Sequence, residues 1–463
     1  MRMLSQVAML IAVCWMSLAV ASPASDPIVA KEAQQALEHA ATTNGPGAVV
    51  LIARGDTVIF RGARGRAEIE LGVPLSADQV FRIASVTKMF TAAMVIKLAE
   101  HGQLTLDDSL AKYLPDFPNA SHITLRELLN HTSGISDIVK DPTPGFMKRD
   151  VDTVGLIEEI RKRQPDFAPG TRLSYSNAGF ILLGAVIEKV TGQTWHDALQ
   201  KQLLEPAGLK RTYYGDNALL IPGRVAGYTT DNPAHWVENA SFISMSIPSA
   251  AGGLVSTVDD LLHWMRALSS GRIVSDNGFQ QMITPVHDLP GVSAMHGYGM
   301  GMYIWRVRGN EMVGHTGQIN GFASAVAYLP KQDITMVVLA NDDNFDAQTM
   351  ARRLAAIALG EPYVEPVAVA MPDDLLNALQ GEYRIDEATI ETLFVKDHQL
   401  YGQRSHHHAV PMQMTMDHQL HFLPDELSYF APVRDAAGNV TGLDYFEGGD
   451  SPPKLLPRVA KDP

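Results

Sequence analysis

The segment Ser85-Val86-Thr87-Lys88 places a hydroxyl and an amine three positions apart, where a long apolar stretch begins. In a helix, side chains at i and i+3 lie on the same face, so the two groups can meet. A serine hydroxyl becomes a good nucleophile only when a base removes its proton. Desolvation on an apolar helix disfavours the ammonium form of lysine and lets the amine act as that base. The spacing therefore predicts covalent catalysis by Ser85, activated by Lys88.

The spacing alone is weak evidence, because two other segments share it. Residues 109–112 lie in a polar segment, and residues 451–454 contain two prolines. Only the copy at 85–88 opens a stretch that is apolar on all sides, which is typical of a buried helix. In the non-catalytic alternative, Ser85 is a helix N-cap and Lys88 extends its amine to solvent.

Two polar motifs farther along the chain are candidates to complete such a site. Tyr175 and Asn177 precede an apolar segment. A phenol near an ammonium is biased towards phenolate, which makes Tyr175 a candidate base, and an amide can orient a substrate carbonyl or the lysine. His315-Thr316-Gly317 ends a predicted strand, where glycine permits close approach to a ligand. Taken alone, the first motif favours a loop tyrosine before an Asn helix cap, and the second favours a packed strand end.

Together and in this order, the three motifs resemble the active-site motifs of the serine β-lactamase and penicillin-binding-protein superfamily. The most similar branch is class C-like and includes D-aminopeptidases, D-alanyl-D-alanine carboxypeptidases and esterases. Four further segments match, and the resemblance extends over residues 28–360. The matching segments are residues 81–84, 128–134, 251–257 and 298–301.

The resemblance implies a role for each motif residue. Ser85 is expected to be the acylated nucleophile, Lys88 its activating partner, and Tyr175 the general base that also protonates the leaving group. The backbone N–H groups of Ser85 and Gln318 are expected to form the oxyanion hole, and Asn177 to contact the acyl side of the substrate. The residues expected to bind substrate are Asn177, His315, Thr316, Gly317 and Gln318.

His315 departs from the pattern of lactamases and carboxypeptidases, which usually carry lysine at this position. Histidine is mostly neutral near pH 7, so it can donate one hydrogen bond but holds a substrate carboxylate less firmly. The resemblance therefore favours a serine hydrolase of small amides or esters, in particular D-amino-acid peptides or esters. The alternatives are a true β-lactamase or D-Ala-D-Ala carboxypeptidase, and a non-catalytic penicillin-binding or interaction module. The expected partner is a small-molecule or short-peptide substrate.

Strand patterns lie at both ends of the first 360 residues, with helical patterns between them. Residues 47–53 and 57–62 predict one hairpin, and residues 323–329 and 334–340 another. This order predicts an α+β fold, in which an antiparallel sheet assembled from distant segments is flanked by helices and carries an inserted helical region. The resemblance implies the same β-lactamase-like architecture.

The remaining chain changes in composition. Residues 361–372 are rich in proline and predict a linker. Short alternating apolar runs follow and predict a small all-β domain, a barrel or a sandwich, over residues 373–463. The expected hydrolase domain is then 22–360.

Composition and charge restrict the class of protein. The 463 residues are 46% hydrophobic and 19% charged, as in folded globular proteins. The formal net charge of -14 argues against a nucleic-acid partner. Residues 1–21 predict a cleaved signal peptide, because the apolar run is too short for a membrane span and ends in Ala19-Val20-Ala21. We therefore expect a periplasmic or secreted protein without stable membrane insertion after cleavage.

No cofactor or metal is expected. Cys14 is the only cysteine and lies in the predicted signal peptide, so the mature chain would have no thiol ligand. Residues 406–408 are three adjacent histidines, but neighbouring side chains on a strand point to opposite faces and cannot easily bind one ion. A solvated turn is the expected structure there.

Overall fold

The computed structural model describes residues 26–139, 142–230, 236–286, 297–364, 366–386, 389–405, 408–423, 427–450 and 452–459. At its centre is a seven-stranded sheet in which every neighbouring pair is antiparallel. The strands are, in spatial order, Gly297–Tyr298, Tyr303–Val307, Asn310–Ile319, Phe322–Leu329, Ile334–Ala340, Ala48–Arg54 and Thr57–Arg64. Distant segments therefore meet in one sheet, which confirms the predicted α+β fold.

Both faces of this sheet are covered. In the strand Ala48–Arg54, Val49 and Leu51 enter one core, whereas Val50 and Ile52 enter the other, as the two-residue period of a strand requires. Two helices cover the smaller core, namely Asp26–Ala40 and Ala347–Leu359. The helices that contribute to the larger core are Thr87–Glu100, Leu125–Leu129, Thr153–Arg161, Asn177–Thr191, Trp195–Leu199, Glu205–Ala207, Ser249–Gly252, Val258–Ser269 and Asp276–Ile283.

Short elements connect these helices. The 3-10 turns are Ala84–Val86, Leu110–Lys112, Ala120–His122 and Phe146–Lys148, and Gln200–Leu204 is a π-helical turn. The small sheets are formed by Arg66–Glu68 with Val73–Pro74, by Phe81–Arg82, Leu254–Ser256 and Tyr213–Tyr214, and by Tyr228–Thr229 with Glu238–Asn239. Among the residues described here, no helix has the length and hydropathy needed to cross a membrane.

The C-terminal region is a separate antiparallel sheet with its own core. A bridge between Tyr383 and Arg458 joins its first and last segments, so the sheet nearly closes into a barrel, which confirms the predicted β architecture. The helix Asp373–Leu379 was not predicted, because its apolar residues span only two turns; it packs its leucines into this core. The remaining elements are the strands Ala368–Val369, Gly381–Arg384, Ile390–Lys396, Gln399–Arg404, Val410–Thr415, Leu420–Phe422, Tyr429–Arg434, Val440–Phe446 and Lys454–Pro457, and the 3-10 turn Glu447–Gly449.

A buried ionic cluster joins the C-terminal region to the main sheet. Asp450 accepts hydrogen bonds from Arg308 and from Tyr363, which lies in the predicted linker. Arg352, on the helix Ala347–Leu359, donates to Asp450 and to the carbonyl of Gly448. Arg352 is only 2% exposed, so these contacts are shielded from water.

Candidate active site

Ser85 lies in the 3-10 turn Ala84–Val86, immediately before the buried helix Thr87–Glu100. Its neighbour Ala84 has a φ of 46°, a left-handed conformation that is costly for a residue with a Cβ and that concentrates at functional sites. No side-chain hydrogen bond caps the start of either element. The alternative interpretation of Ser85 as an N-cap is therefore wrong.

Lys88 is completely buried, so the alternative of a solvent-directed amine is also wrong. Its Nζ lies 3.0 Å from Ser85 Oγ and donates to Asn177 Oδ1 at 2.7 Å and to the carbonyl of Ala251 at 2.9 Å. Burial lowers the pKa of Lys88 to about 7, although the negative charge of Asp137 opposes this effect. A large fraction of the amine is therefore neutral near pH 7 and can accept the Ser85 proton.

Tyr175 lies beside both groups. The Lys88 Nζ is 4.8 Å from the centre of the Tyr175 ring. Burial and the nearby Tyr303 raise the pKa of the Tyr175 phenol well above its usual value, and a hydrogen bond with Ser85 offsets only part of that increase. The shift is opposite to the phenolate bias that the sequence predicts, because desolvation of the buried phenol is its largest cause. Tyr175 is therefore a neutral phenol and a proton donor in this state.

Asn177 begins the helix Asn177–Thr191, but the cap is the preceding Ser176, whose Oγ accepts from the Gly179 N–H. The Asn177 side chain is thus free to enter the site. Its backbone N–H and its Nδ2 both donate to Asp137 Oδ2, at 3.1 and 2.8 Å. These bonds fix the amide so that its oxygen points at Lys88.

Asp137 is a site residue that the sequence did not identify. It is 4% exposed, and it lies three positions beyond the matching segment 128–134. The only available signal was this proximity to a matching segment, because its contact with Asn177 joins residues 40 positions apart.

His315 lies within the strand Asn310–Ile319, which continues past Gly317, so the prediction that this motif ends a strand is wrong. The Nδ1–H donates to the Thr316 carbonyl at 2.5 Å, and Nε2 accepts from the Tyr298 hydroxyl at 3.0 Å. Burial and the nearby Lys88 lower the pKa of His315 to about 3. The expected N–H for a substrate carboxylate is therefore not available: the ring is neutral and both nitrogens are engaged.

His131 packs against two aromatic residues of the site, Tyr175 and Tyr298. It is 1% exposed, and its Nδ1 accepts from the Ser176 backbone N–H. Its ring centre lies 4.3 Å from that of Tyr175 and 4.5 Å from that of Tyr298. Burial lowers the pKa of His131 well below its usual value, so it is a neutral packing residue. The sequence placed His131 and Tyr298 in matching segments but assigned them no role.

Gly317 allows the strand to approach the nucleophile turn closely. A Cβ at this position would lie 2.4 Å from the Ile83 carbonyl oxygen, 2.6 Å from Ser324 Oγ and 2.9 Å from the Ser85 backbone nitrogen. The predicted close approach is therefore made to the protein's own backbone. Any side chain at 317 would crowd the Ser85 N–H.

The N–H of Gln318 faces the cleft. The register pairs Ile319 with Phe322 across a two-residue turn, so the Gln318 N–H points away from that partner strand. On the other side of the strand Asn310–Ile319, the strand Tyr303–Val307 pairs with residues 310–314, so this pairing does not reach Gln318. Ser85 and Gln318 both line the cleft, so their N–H groups remain the predicted oxyanion hole.

Two cavities share Ser85 as a lining residue. One has a volume of about 480 Å³, and Thr316 and Tyr175 line it. The other has a volume of about 280 Å³ and is lined mainly by aliphatic side chains. Asn177 and Gln318 line both. Within the described ranges, no group of three or more His, Cys, Asp or Glu side chains could hold a metal ion; His406 and His407 lie outside those ranges.

The family model described as Beta-lactamase matches residues 33–359, which is most of the chain. The chain belongs to this beta-lactamase family. The resemblance stated from the motifs is thereby confirmed, and the family has hydrolase members.

Three proteins that are similar to this chain differ in their named activities. A penicillin-binding protein of Bacillus subtilis is 26% identical over 377 residues, covering 76% of this chain and 82% of the relative. A D-aminopeptidase of Gluconobacter oxydans is 26% identical, covering 73% of this chain and 63% of the relative. The crystal structure of a D-stereospecific amidohydrolase from Streptomyces sp. is 31% identical with a TM-score of 0.62, covering 69% of this chain and 97% of that one.

Proposed function

We propose that the protein is a serine hydrolase that forms an acyl-enzyme on small amides or esters, including those of D-amino acids. The observation that carries this proposal is the buried Lys88 amine, with a pKa of about 7, 3.0 Å from Ser85 Oγ. The named activities of the D-aminopeptidase and the D-stereospecific amidohydrolase support the choice of substrate class.

In the acylation step, the neutral Lys88 amine takes the Ser85 proton as Oγ attacks the substrate carbonyl carbon. The carbonyl oxygen gains negative charge between the N–H groups of Ser85 and Gln318. As the bond to the leaving group breaks, Tyr175 donates its phenol proton to the departing nitrogen or oxygen. The proton on Lys88 then restores the phenol.

Deacylation reverses these proton movements. As the water oxygen attacks the acyl carbon, the water proton passes to the Tyr175 oxygen while Tyr175 gives its own proton to the neutral Lys88 amine. The Lys88 ammonium then returns that proton to Ser85 Oγ as the acyl bond breaks, which restores all three groups. Asp137 and Asn177 keep the Lys88 amine directed at Ser85 through both steps.

The test is covalent labelling with a fluorophosphonate, followed by intact-mass measurement and assays on amide and ester substrates. We expect one adduct, on Ser85, together with turnover, and neither in Ser85→Ala. A wild-type protein that stays unlabelled and inert on every substrate would favour the non-catalytic interaction module.

We also propose export of the mature chain after removal of residues 1–21. N-terminal sequencing of the protein from the periplasm or the culture medium should begin at Ser22. A product that retains Met1 in the cytoplasm would contradict this proposal.

A further inference from the structure

The two cavities at Ser85 differ in chemistry and in access to Tyr175. Tyr175 lines the larger cavity only, together with Thr316. In the proposed mechanism Tyr175 protonates the leaving group, so the leaving group must lie in the larger cavity. The acyl half of the substrate then extends past Asn177 into the smaller one.

The larger cavity, here called the leaving-group lobe, has acidic side chains in its wall, whereas Lys88, 3.0 Å from Ser85 Oγ, does not line it. Asp343 and Asp346 line it, and no Lys or Arg is found among its described lining residues. Asp343 is held in place by the Gly321 N–H, which donates to Oδ2 at 2.8 Å, and Asp346 by the Thr349 N–H. His315, which also lines the lobe, is neutral and has no N–H to offer.

This charge distribution acts against one kind of leaving group. A carboxylate in the lobe would lie in the field of two carboxylates and would lose hydration without gaining a lysine or arginine partner from the described lining residues. An uncharged or amine-bearing leaving group meets no such penalty. The lobe therefore discriminates by repulsion, without a dedicated binding contact.

The smaller cavity, here called the acyl lobe, is apolar. Its volume of about 280 Å³ exceeds the ~150 Å³ that suffices for benzene in a dry protein cavity. The aliphatic side chains that line it are those of Ile138, Val139, Met147, Ile181, Ile243 and Ile247. Burying an aliphatic or aromatic acyl group there gains the hydrophobic contribution of the area removed from water.

We propose that the cleft selects amides and esters with a bulky apolar acyl group and an uncharged or cationic leaving group, and rejects leaving groups that carry a carboxylate. This inference rests on the proposed function, because it assigns the lobes from the roles of Ser85 and Tyr175. It places substrates that release a free-carboxylate amino acid, as a carboxypeptidase does, outside the preferred class.

The leaving-group lobe is tested with two phenylpropanoyl esters, one of meta-hydroxybenzoic acid and one of meta-hydroxybenzamide. They share the acyl half and differ in the charge of the leaving group. We expect kcat/KM to favour the hydroxybenzamide ester by about tenfold, and Asp343→Asn to reduce this ratio about threefold. Asp116→Asn, which removes an exposed acid outside the lobe, should leave the ratio unchanged. Equal rates for the two esters, or a ratio that Asp343→Asn does not change, would overturn the assignment.

The acyl lobe is tested by comparing phenylpropanoyl and acetyl esters of meta-hydroxybenzamide. Val139 lines the lobe and is 46% exposed, so Val139→Trp adds volume with little risk to the fold. We expect this variant to lower the phenylpropanoyl-to-acetyl ratio of kcat/KM about tenfold. The matched control is Val154→Trp, at a 66% exposed valine outside the lobe, which should leave the ratio unchanged. A ratio unaffected by Val139→Trp would refute the acyl lobe.

The two levels of proposal fail differently. If fluorophosphonate does not label Ser85, the proposed function itself is wrong. If Ser85 is labelled and the esters are hydrolysed, but the ratios are flat, only the lobe assignment is wrong.

Discussion

Replacing Lys88 by methionine should change how the free energy of unfolding depends on pH. In the folded protein the pKa of Lys88 is lowered from 10.5 to about 7. Between these values the unfolded chain binds a proton that the folded chain does not, so stability rises with pH across this window. The whole difference corresponds to about 5 kcal/mol, and the part between about pH 6 and about pH 9 to about 3 kcal/mol. Methionine has a similar shape and no charge, so the free energy of unfolding of Lys88→Met should lack this pH-dependent part.

The comparison cancels the titratable groups that Lys88 does not influence. Lys88 also helps to lower the pKa values of His131 and His315, but burial is the larger cause and remains in the variant. Methionine leaves the Asn177 and Ala251 oxygens without their donor, at about 1–3 kcal/mol each, but this cost does not vary with pH. Urea unfolding of both proteins at the two pH values gives four free energies. We expect the stability of the wild type relative to Lys88→Met to rise by about 3 kcal/mol from the lower to the higher pH. A relative stability that does not change with pH would refute the lowered pKa.

Three further variants test separate parts of the structure. Asp137→Ala removes the acceptor that holds the Asn177 amide, so kcat should fall about 10–100-fold with little change in KM. The pH midpoint of activity should also move lower, because Asp137 raises the pKa of Lys88. Unchanged kinetics would exclude a positioning role for Asp137. Gly317→Ala places a Cβ against the Ser85 nitrogen, so it should abolish labelling by fluorophosphonate. It should also lower the free energy of unfolding, measured in urea, by about 1–3 kcal/mol. Normal labelling would contradict the close approach of the strand to Ser85. Asp450→Ala leaves Arg352 buried without its carboxylate partner and should destabilise the protein by about 3–5 kcal/mol. An unchanged urea midpoint would show that this buried ionic cluster does not join the C-terminal region to the main sheet.

The local parts of this site could be predicted from the sequence. The spacing of Ser85 and Lys88 is a short-range pattern, and the apolar residues on every side of the following helix predict that the lysine is dry, as the structure shows. The antiparallel sheet was also predictable, because two hairpins lie at opposite ends of the first 360 residues, and the structure pairs them through the strands Ala48–Arg54 and Ile334–Ala340.

The side-chain contacts between distant segments of the site could not be predicted. The pairing of His315 with the Tyr298 hydroxyl depends on how two strands register, and that contact changes His315 from a candidate substrate ligand into a wall residue. The role of Asp137 depends on a loop that folds back against Asn177. The ionisation state of Tyr175 depends on total burial, which a motif does not specify.

The most direct test of the account is the pH dependence of Ser85 phosphonylation by a fluorophosphonate, followed by intact-mass measurement. The reaction needs only the nucleophile and its base, so it is independent of the natural substrate. If neutral Lys88 activates Ser85, the labelling rate should rise through an apparent pKa of about 7, and Lys88→Met should abolish the labelling. A rate that continues to rise with the ordinary lysine pKa near 10.5, or that persists in Lys88→Met, would contradict the central claim.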